Sequence, residues 1–530
     1  MPKIVVDGVS YEVAEGRTIL QALDDLGVLM NGVDIPHYCW HPKLTIDGSC
    51  RLCQVEVEGI PKLQIACNTL VTEGMVIHTQ SERVRKAREG VMELLLINHP
   101  LDCPICDQAG ECKLQDYAFE YGVPHARTRE PRRAAKKRVD LGPTIVFDQE
   151  RCILCRRCVR FCREVPGTGE LAVFQRGDRS TIETAPGQPL DNDYSMNVAD
   201  ICPVGALTTK DFRFKIRVWF LEELPGVCTG CANGCNVYMG VANNRVYRYV
   251  ARRNDEVNQT WICDDGRLSY KRIGAEDRID GHALQAPDGR RQQLSFDAAI
   301  AQAAAALRGV IERKGPGAIG AIASPHATNE DLFVLRRFLE ALGSSQAGFT
   351  VPTWRADALL RKPEAAANGA GCRALGFGDA APLLERVRGG AVAGLVVLGH
   401  DLLATFGPSV LETLRTLDAL VLLDSHRSEL EGLAQVVFAA RVPAEKHGTL
   451  TNHAGRVQRV VPAVEPPFEA QAEGEILWRL AQALELPGFA GEWDPYAVSR
   501  ELAAAEPAFT GCDLDSLPSE GAPLRGARID

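Results

Sequence analysis

The chain has 530 residues, 45% of them hydrophobic and 24% charged, with a net charge of -10 at pH 7. That length exceeds what one hydrophobic core organises and implies roughly three to five domains. No apolar run of the roughly eighteen residues that a membrane-crossing helix needs is present, so no direct membrane span is expected. The negative balance argues against nucleic acid as a main partner. The opening MPKIVVDGVSYEV lacks the basic and apolar regions of an export leader and any twin arginine, so a cytoplasmic location is expected.

Residues 3–13 alternate apolar and polar about Asp7-Gly8, which predicts a two-residue hairpin; Thr18 then caps a short helix over ILQALDDLGV. A second alternating stretch, CQVEVEG, turns at Gly59-Ile60-Pro61 and returns as KLQIAC. Hairpin, helix and hairpin outline a β-grasp, ferredoxin-like domain over 1–80. Within it Cys39, Cys50, Cys53 and Cys67 are spaced C-x10-C-x2-C-x13-C. Two sulfide-bridged irons need four thiolates, so a [2Fe–2S] cluster is expected, with structural zinc as the alternative. The first gap is longer than in the plant-type pattern.

A domain over 81–122 opens with an amphipathic helix, 81–98, capped by Ser81, with Leu94, Leu95 and Ile97 on its apolar side and Pro100 beyond its end. His99, Cys103, Cys106 and Cys112 follow as H-x3-C-x2-C-x5-C. Three thiolates leave a cubane [4Fe–4S] cluster one ligand short. The His99 imidazole can fill the gap, at the cost of one negative charge on the site; otherwise it is an ordinary histidine beside three cysteines. The basic run HARTREPRRAAKKRVD (125–139) lies in a linker, 123–143, and reads as a solvated segment or a contact with a partner chain.

In the next domain, 144–220, Cys152, Cys155 and Cys158 form C-x2-C-x2-C, and either Cys162 or Cys202 completes the set. Proline follows the last ligand in bacterial ferredoxins, and Cys202-Pro203 has that neighbour whereas Cys162-Arg163 does not. Cys162 is then a spare buried thiol. Cys228, Cys231, Cys235 and Cys263, spaced C-x2-C-x3-C-x27-C, form a fourth set in a module over 221–278. Eighteen cysteines occur in all, sixteen of them between Cys39 and Cys263, leaving Cys372 and Cys512. In a reducing cytoplasm, thiols so dense and so regularly spaced coordinate metal rather than pair as disulfides.

Over 279–486 the composition changes. GAIGAIAS, AVAGLVVLG, DALVLLD and AQVVFAA predict buried parallel strands, and TNEDLFVLRRFLEALG predicts a helix opened by Thr328 with Asp331 and closed at Gly343, together an α/β domain. The tail, 487–530, is expected to be irregular. No Gly-rich dinucleotide fingerprint follows a strand in the cysteine-bearing half, and GAIGAIAS has the wrong spacing, so no dinucleotide site is expected there.

The segments HPLDCPICDQAGECKLQD and ICPVGAL, set among the four cysteine groups, resemble the G subunit of NADH-quinone oxidoreductase, the respiratory complex I, over residues 1–270. That resemblance implies fifteen cysteines and His99 as ligands of one [2Fe–2S] and three [4Fe–4S] clusters, with Cys162 excluded and the fourth cluster found in only some members. It implies electrons passing from a flavin subunit toward quinone in a proton-pumping complex. The partners implied are the flavin/NADH-binding subunit and other peripheral-arm subunits at the cytoplasmic face of the inner membrane. RVPAEKHGTLTNHAGRVQRV (441–460) is similar to a molybdopterin-oxidoreductase domain. With 267 residues after Cys263, that domain is expected to be partial and free of molybdopterin. The rival reading is the iron–sulfur/molybdenum subunit of an NAD-linked formate dehydrogenase. It would need a metal ligand, for which Cys372 is the sole cysteine suited and is read as structural. A zinc scaffold and a hydrogenase diaphorase subunit are the remaining alternatives, the latter resembling only the first half.

Overall fold

The computed structural model describes residues 1–285, 290–399 and 401–526, and the chain forms two units, Met1–Leu221 and Glu222–Asp530.

In the first unit, β1 (Lys3–Val6) and β2 (Val9–Glu12) pair through Asp7-Gly8, whose φ values of 47° and 86° give the primed turn that matches strand twist. Thr18 caps α1 (Ile19–Asp25) in a reciprocal box with Gln21. The second hairpin is β3 (Gln54–Val57) with β4 (Gln64–Ile65). A strand the sequence did not single out, β5 (Met75–His78), takes the centre of the five-stranded sheet β2-β1-β5-β3-β4, parallel to β1 and antiparallel to β3. Ile4, Leu20, Val55 and Ile77 form its core together with Cys53 and Cys67.

Ser81 caps α2 (Glu82–Leu96), as expected. Its buried positions are Val84, Arg88 and Met92, four residues apart, whereas Leu94 is 71% exposed and Leu95 and Ile97 are only partly covered. The expected apolar side is thereby corrected: two residues past Met92 the helix has turned by roughly 200°, so Leu94 points away from the packed stripe. α3 (Lys113–Tyr121) starts at Cys112. Beyond it, β6 (Val139–Asp140), β7 (Ile145–Phe147) and β10 (Leu207–Thr209) make an antiparallel sheet. β8 (Leu171–Phe174) and β9 (Thr181–Thr184) form a hairpin. α4 (Arg157–Glu164) carries Cys158 and Cys162, so not every cysteine sits in a loop.

The second unit opens with the antiparallel meander β11 (Glu222–Val227), β12 (Asn236–Ala242) and β13 (Arg245–Ala251). Its main sheet runs β15-β14-β20-β19-β18-β16-β17. The four apolar runs are the parallel strands β16 (Ile319–Ala323), β18 (Gly394–Leu398), β19 (Ala419–Asp424) and β20 (Val436–Ala439), with β17 (Gln346–Phe349) beside β16. Covered on both faces, they read as continuous apolar stretches. β14 (His282–Gln285) joins the sheet antiparallel to β20, with β15 (Arg291–Leu294) at the edge. The helix Asn329–Leu342 has its capping box at Thr328 and Asp331 and closes at Gly343, φ 76°.

A last small sheet holds β21 (Gly448–Thr451), β22 (Arg456–Val460) and β23 (Ala522–Pro523). The tail expected to be irregular contains a helix, Pro495–Ala505, capped by Asp494, and lends β23 to this sheet. Val498 and Leu502 give that helix one apolar pair, too short a stripe to stand out in sequence. Among the described residues no helix is long and apolar enough to cross a membrane.

Candidate metal centres

Each of the four cysteine sets has its thiols gathered in one place. In the first, Cys39 hydrogen-bonds with both Cys50 and Cys67, and Cys53 with Cys67. Crowded thiols share protons unequally. Hydrogen bonds from Cys50 and Cys67 hold the Cys39 thiol far below its ordinary value, and Cys67 is pushed far above its own by the thiols beside it.

The second set brings together Cys103, on a short turn Cys103–Ile105, Cys106 and Cys112. Burial pushes the Cys112 thiol up to about 11, and its Sγ lies 3.8 Å from the Pro203 carbonyl. Gly205 packs so closely that a Cβ there would stand 2.4 Å from Cys106 Sγ. The segment Cys202–Gly205 therefore touches the second set while supplying a thiol to the third. His99 has as its strongest charged neighbours Asp102, Arg151, Lys137 and Arg132, and burial holds its imidazole down at about 4. It is thus neutral, and its buried Nδ1 has no hydrogen-bond partner among the described residues. His99 also lines a cavity of about 250 Å³ together with Cys152, Glu150 and Thr181.

In the third set Cys152, Cys155, Cys158 and Cys202 line one small void of about 20 Å³, walled by Phe147, Ile182, Val204 and Leu207, and Cys162 is not among the lining residues. The loop wraps this void through left-handed residues at Leu154 and Arg156, φ 53° and 57°. The Leu154 amide donates to Cys152 Sγ at 3.4 Å, and Cys202 Sγ donates to the Val204 carbonyl at 3.0 Å. Burial pushes Cys202 up to about 12.

The fourth set, Cys228, Cys231, Cys235 and Cys263, is buried beside β12 and β13. Asn233 Nδ2 donates to Cys235 Sγ at 3.0 Å and the Gly266 amide to Cys263 Sγ at 3.3 Å. A Cβ at Gly266 would lie 3.1 Å and 3.2 Å from the Cys228 and Cys263 sulfurs. Amide hydrogens aimed at sulfur favour negative charge there, the form in which thiols hold metal. Among the described residues no three His, Cys, Asp or Glu side chains converge to hold a single metal ion. Thiols in four groups, most of them buried, met by amide N–H and by glycines where space is tightest, are a donor set that fits iron and sulfide.

Sequence reasoning missed the charged groups around these sets. Arg151 pairs with Asp102 at 2.7 Å and Asp148 at 3.4 Å between the second and third sets. The basic run is mostly exposed, and two of its side chains pair with neighbours: Arg127 meets Glu93 at 2.6 Å and Lys137 meets Glu150 at 2.5 Å. Cys372 lies in the α/β core with Sγ 3.8 Å from the Ser324 carbonyl, and Cys512 packs into the same core. Neither lines the cavity of about 240 Å³ at the ends of β16, β18 and β19, where Ser324, His326, Gly399 and His426 meet Thr229 and Arg272.

Comparison with known proteins finds five family segments. They are a 2Fe-2S iron-sulfur cluster binding domain at 3–82 and the NADH-ubiquinone oxidoreductase-G iron-sulfur binding region at 88–127. The ferredoxin-like domain of NADH-quinone oxidoreductase subunit 3 follows at 142–208, then a molybdopterin oxidoreductase Fe4S4 domain at 221–274 and molybdopterin oxidoreductase at 382–483. The NADH-quinone oxidoreductase G subunit of Rickettsia felis is 41% identical over 345 residues, 65% of this chain and 50% of that protein. The mitochondrial NADH dehydrogenase [ubiquinone] iron-sulfur protein 1 of Solanum tuberosum is 39% identical over 65% of this chain and 45% of its own length. A solved chain of an NAD+-reducing [NiFe]-hydrogenase is 29% identical, covering 41% of this chain and 91% of that one, with a TM-score of 0.36. The chain spans about half the length of curated relatives such as the Rickettsia felis protein. In its ordered cysteine-bearing segments the chain is similar to the G subunits of NADH-quinone oxidoreductase and their mitochondrial counterparts.

Proposed function

We propose that the protein is an iron–sulfur electron-transfer subunit of an NADH-quinone oxidoreductase, relaying electrons from a flavin-bearing partner toward quinone. The observation that carries this reading is the gathering of the cysteines into four largely buried groups in chain order. Iron–sulfur clusters, when bound, supply reversible one-electron redox chemistry. Cys39, Cys50, Cys53 and Cys67 hold a [2Fe–2S] cluster within a β-grasp domain. His99 with Cys103, Cys106 and Cys112, then Cys152, Cys155, Cys158 and Cys202, then Cys228, Cys231, Cys235 and Cys263 hold [4Fe–4S] clusters. The chain's own work is to fix these ligands, keep water from the sulfurs and set the charge around them. The α/β domain is a scaffold without pterin. Partners are the flavin/NADH-binding and other peripheral-arm subunits at the cytoplasmic face of the inner membrane.

The neutral, unpartnered His99 Nδ1 supports a ligand role, since a free imidazole nitrogen is what the three-thiol set lacks. About fourteen irons per chain are expected in anaerobically purified protein. His99→Ala should labilise the second centre, and His99→Cys should restore it at a lower potential, read by low-temperature EPR of the reduced protein. An unchanged set of EPR signals in His99→Ala removes His99 from the ligand list. Stoichiometric zinc with little acid-labile sulfide sinks the whole reading, and molybdenum at one per chain sinks the scaffold role of the α/β domain.

A further inference from the structure

Between the first and third thiol groups lie two arginines from one helix face, Arg157 and Arg160 of α4. Arg157 donates from Nη1 to the Ile201 carbonyl at 3.1 Å and from Nη2 to the Trp40 carbonyl. Arg160 donates from Nη1 to the Thr45 carbonyl, and from Nη2 to the carbonyls of Cys39 and, at 3.4 Å, Cys155. Each guanidinium thus grips backbone beside the first group, at Cys39 or Trp40, and beside the third, at Cys155 or next to Cys202. A planar fork with several donors suits that double hold, which a lysine cannot reproduce.

Charge separates this junction from its surroundings. Arg151 answers to Asp102 and Asp148, and the exposed Arg156 answers to Asp47 at 2.7 Å. Among the described residues neither Arg157 nor Arg160 has a carboxylate partner; every acceptor they meet is a neutral carbonyl. Arg160 is 8% exposed, and the buried Nε atoms of both arginines have no hydrogen-bond partner. Arg157 is half-buried, and cations withdrawn from water without counter-charge are costly, so two side by side call for negative charge nearby. Thiolates of the groups on either side are the anions within reach.

We propose that Arg157 and Arg160 are positioning residues that clamp the first and third thiol groups at a fixed gap and serve as the positive charge both groups share when loaded. The inference rests on the cluster reading above. A single electron crossing that gap oxidises one centre and reduces the other, breaking no bond and moving no proton. Its rate would depend on the gap, which these arginines fix, while the charge they share would raise both potentials together.

The test is EPR-monitored redox titration of the full-length, anaerobically purified chain carrying Arg157→Gln, Arg160→Gln or the corresponding Lys substitutions, with the exposed Arg163→Gln on the same helix as control. In each Gln variant, reduction of both the first and the third centre should become about tenfold less favourable, about 59 mV for one electron. The second and fourth centres should hold their potentials, and the Lys variants should recover most of the shift. Unchanged potentials in loaded Gln variants, or a shift confined to the third centre, overturn the proposal. Should a Gln variant lose iron, joint loss of the first and third signals with the fourth retained supports the clamp, and loss of the third alone refutes it. Absence of both signals from the unsubstituted protein defeats the cluster reading instead, so the two failures stay distinguishable.

Discussion

The first unit and the α/β domain of the second use cysteine and carbon in opposite ways. In Met1–Leu221 the sheets have five, three and two strands, and Cys53, Cys67, Cys158 and Cys202 occupy positions that aliphatic side chains would fill elsewhere. In the α/β domain a seven-stranded sheet buries Val396, Val421, Leu423 and Phe438 against Leu335, Phe338 and Leu477, and its two cysteines are only packing residues. The difference teaches where order comes from. Small sheets joined by long loops cannot remove enough apolar surface from water to hold a unique fold, and bound metal then supplies folding free energy. The α/β domain draws on burial alone.

The largest expected effect therefore comes from taking the iron and sulfide away. Chelation under denaturant-free, reducing conditions should strip hydrogen-exchange protection from Met1–Leu221, while β16, β18, β19 and β20 keep theirs. Equal loss of protection in those four strands breaks the comparison, because it would mean that the α/β core also depends on the ligands.

Within the α/β domain, polar burial offers the next effect. Lys446 is 3% exposed and meets Asp331 at 2.7 Å and Glu473. Burial alone would lower its pKa, but the two carboxylates raise it above its ordinary value, and Lys446 in turn holds Asp331 below the usual carboxylate range against the pull of burial. Lys446→Met leaves two buried carboxylates without their cation and should cost about 3–5 kcal/mol in urea unfolding of this domain. Iron content should stay constant. A loss below about 1 kcal/mol would show that water reaches the triad.

Glu330 sharpens the same contrast through pH. Burial pushes its carboxyl up to about 7 although the Thr449 amide and hydroxyl donate to it at 2.7 Å and 2.9 Å. The folded state holds the proton more tightly than the unfolded one, where the group titrates near 4.5. Its stabilisation is thus full below pH 4.5 and fades as pH rises toward about 7. Thermal unfolding of the α/β domain should show a falling segment in that window. Glu330→Gln, whose amide can accept from one Thr449 group and donate to the other, should flatten it.

What could be read in the sequence follows the same division. Period-two alternation announced β1 to β4, and unbroken apolar runs announced the parallel strands β16, β18, β19 and β20 but not β17, because burial on one or two faces writes itself into residue order. Cysteine spacing announced the thiol groups. β5 was missed although it is central, since MVIH is four residues long and set by its neighbours. The side of α2 was misjudged because Arg88, fully buried under Tyr121, occupies the place where an aliphatic residue was sought. Nothing in RCVRFC sets Arg157 and Arg160 apart, because their acceptors at Cys39, Trp40 and Thr45 lie more than a hundred residues away in the chain.

The smallest effect tests whether the α/β domain depends on local signals at all. Ser295 caps the helix Phe296–Lys314, its hydroxyl accepting from the Ala298 amide at 3.4 Å, with Asp297 in the first turn and Arg313 and Lys314 in the last. Ser295→Ala removes the acceptor of the Ala298 N–H and should cost about 1 kcal/mol, a fall of roughly 2–4 °C in melting temperature for a domain of this size. The helix also buries Ala299, Ala303, Leu307 and Val310 in the main core, so packing should hold it after the cap is gone. Calorimetry of the full chain reads the shift directly. A drop of several times that size would show that the cap starts a helix on which the strands behind it depend, and the domain would then rest on local signals more than its buried core implies.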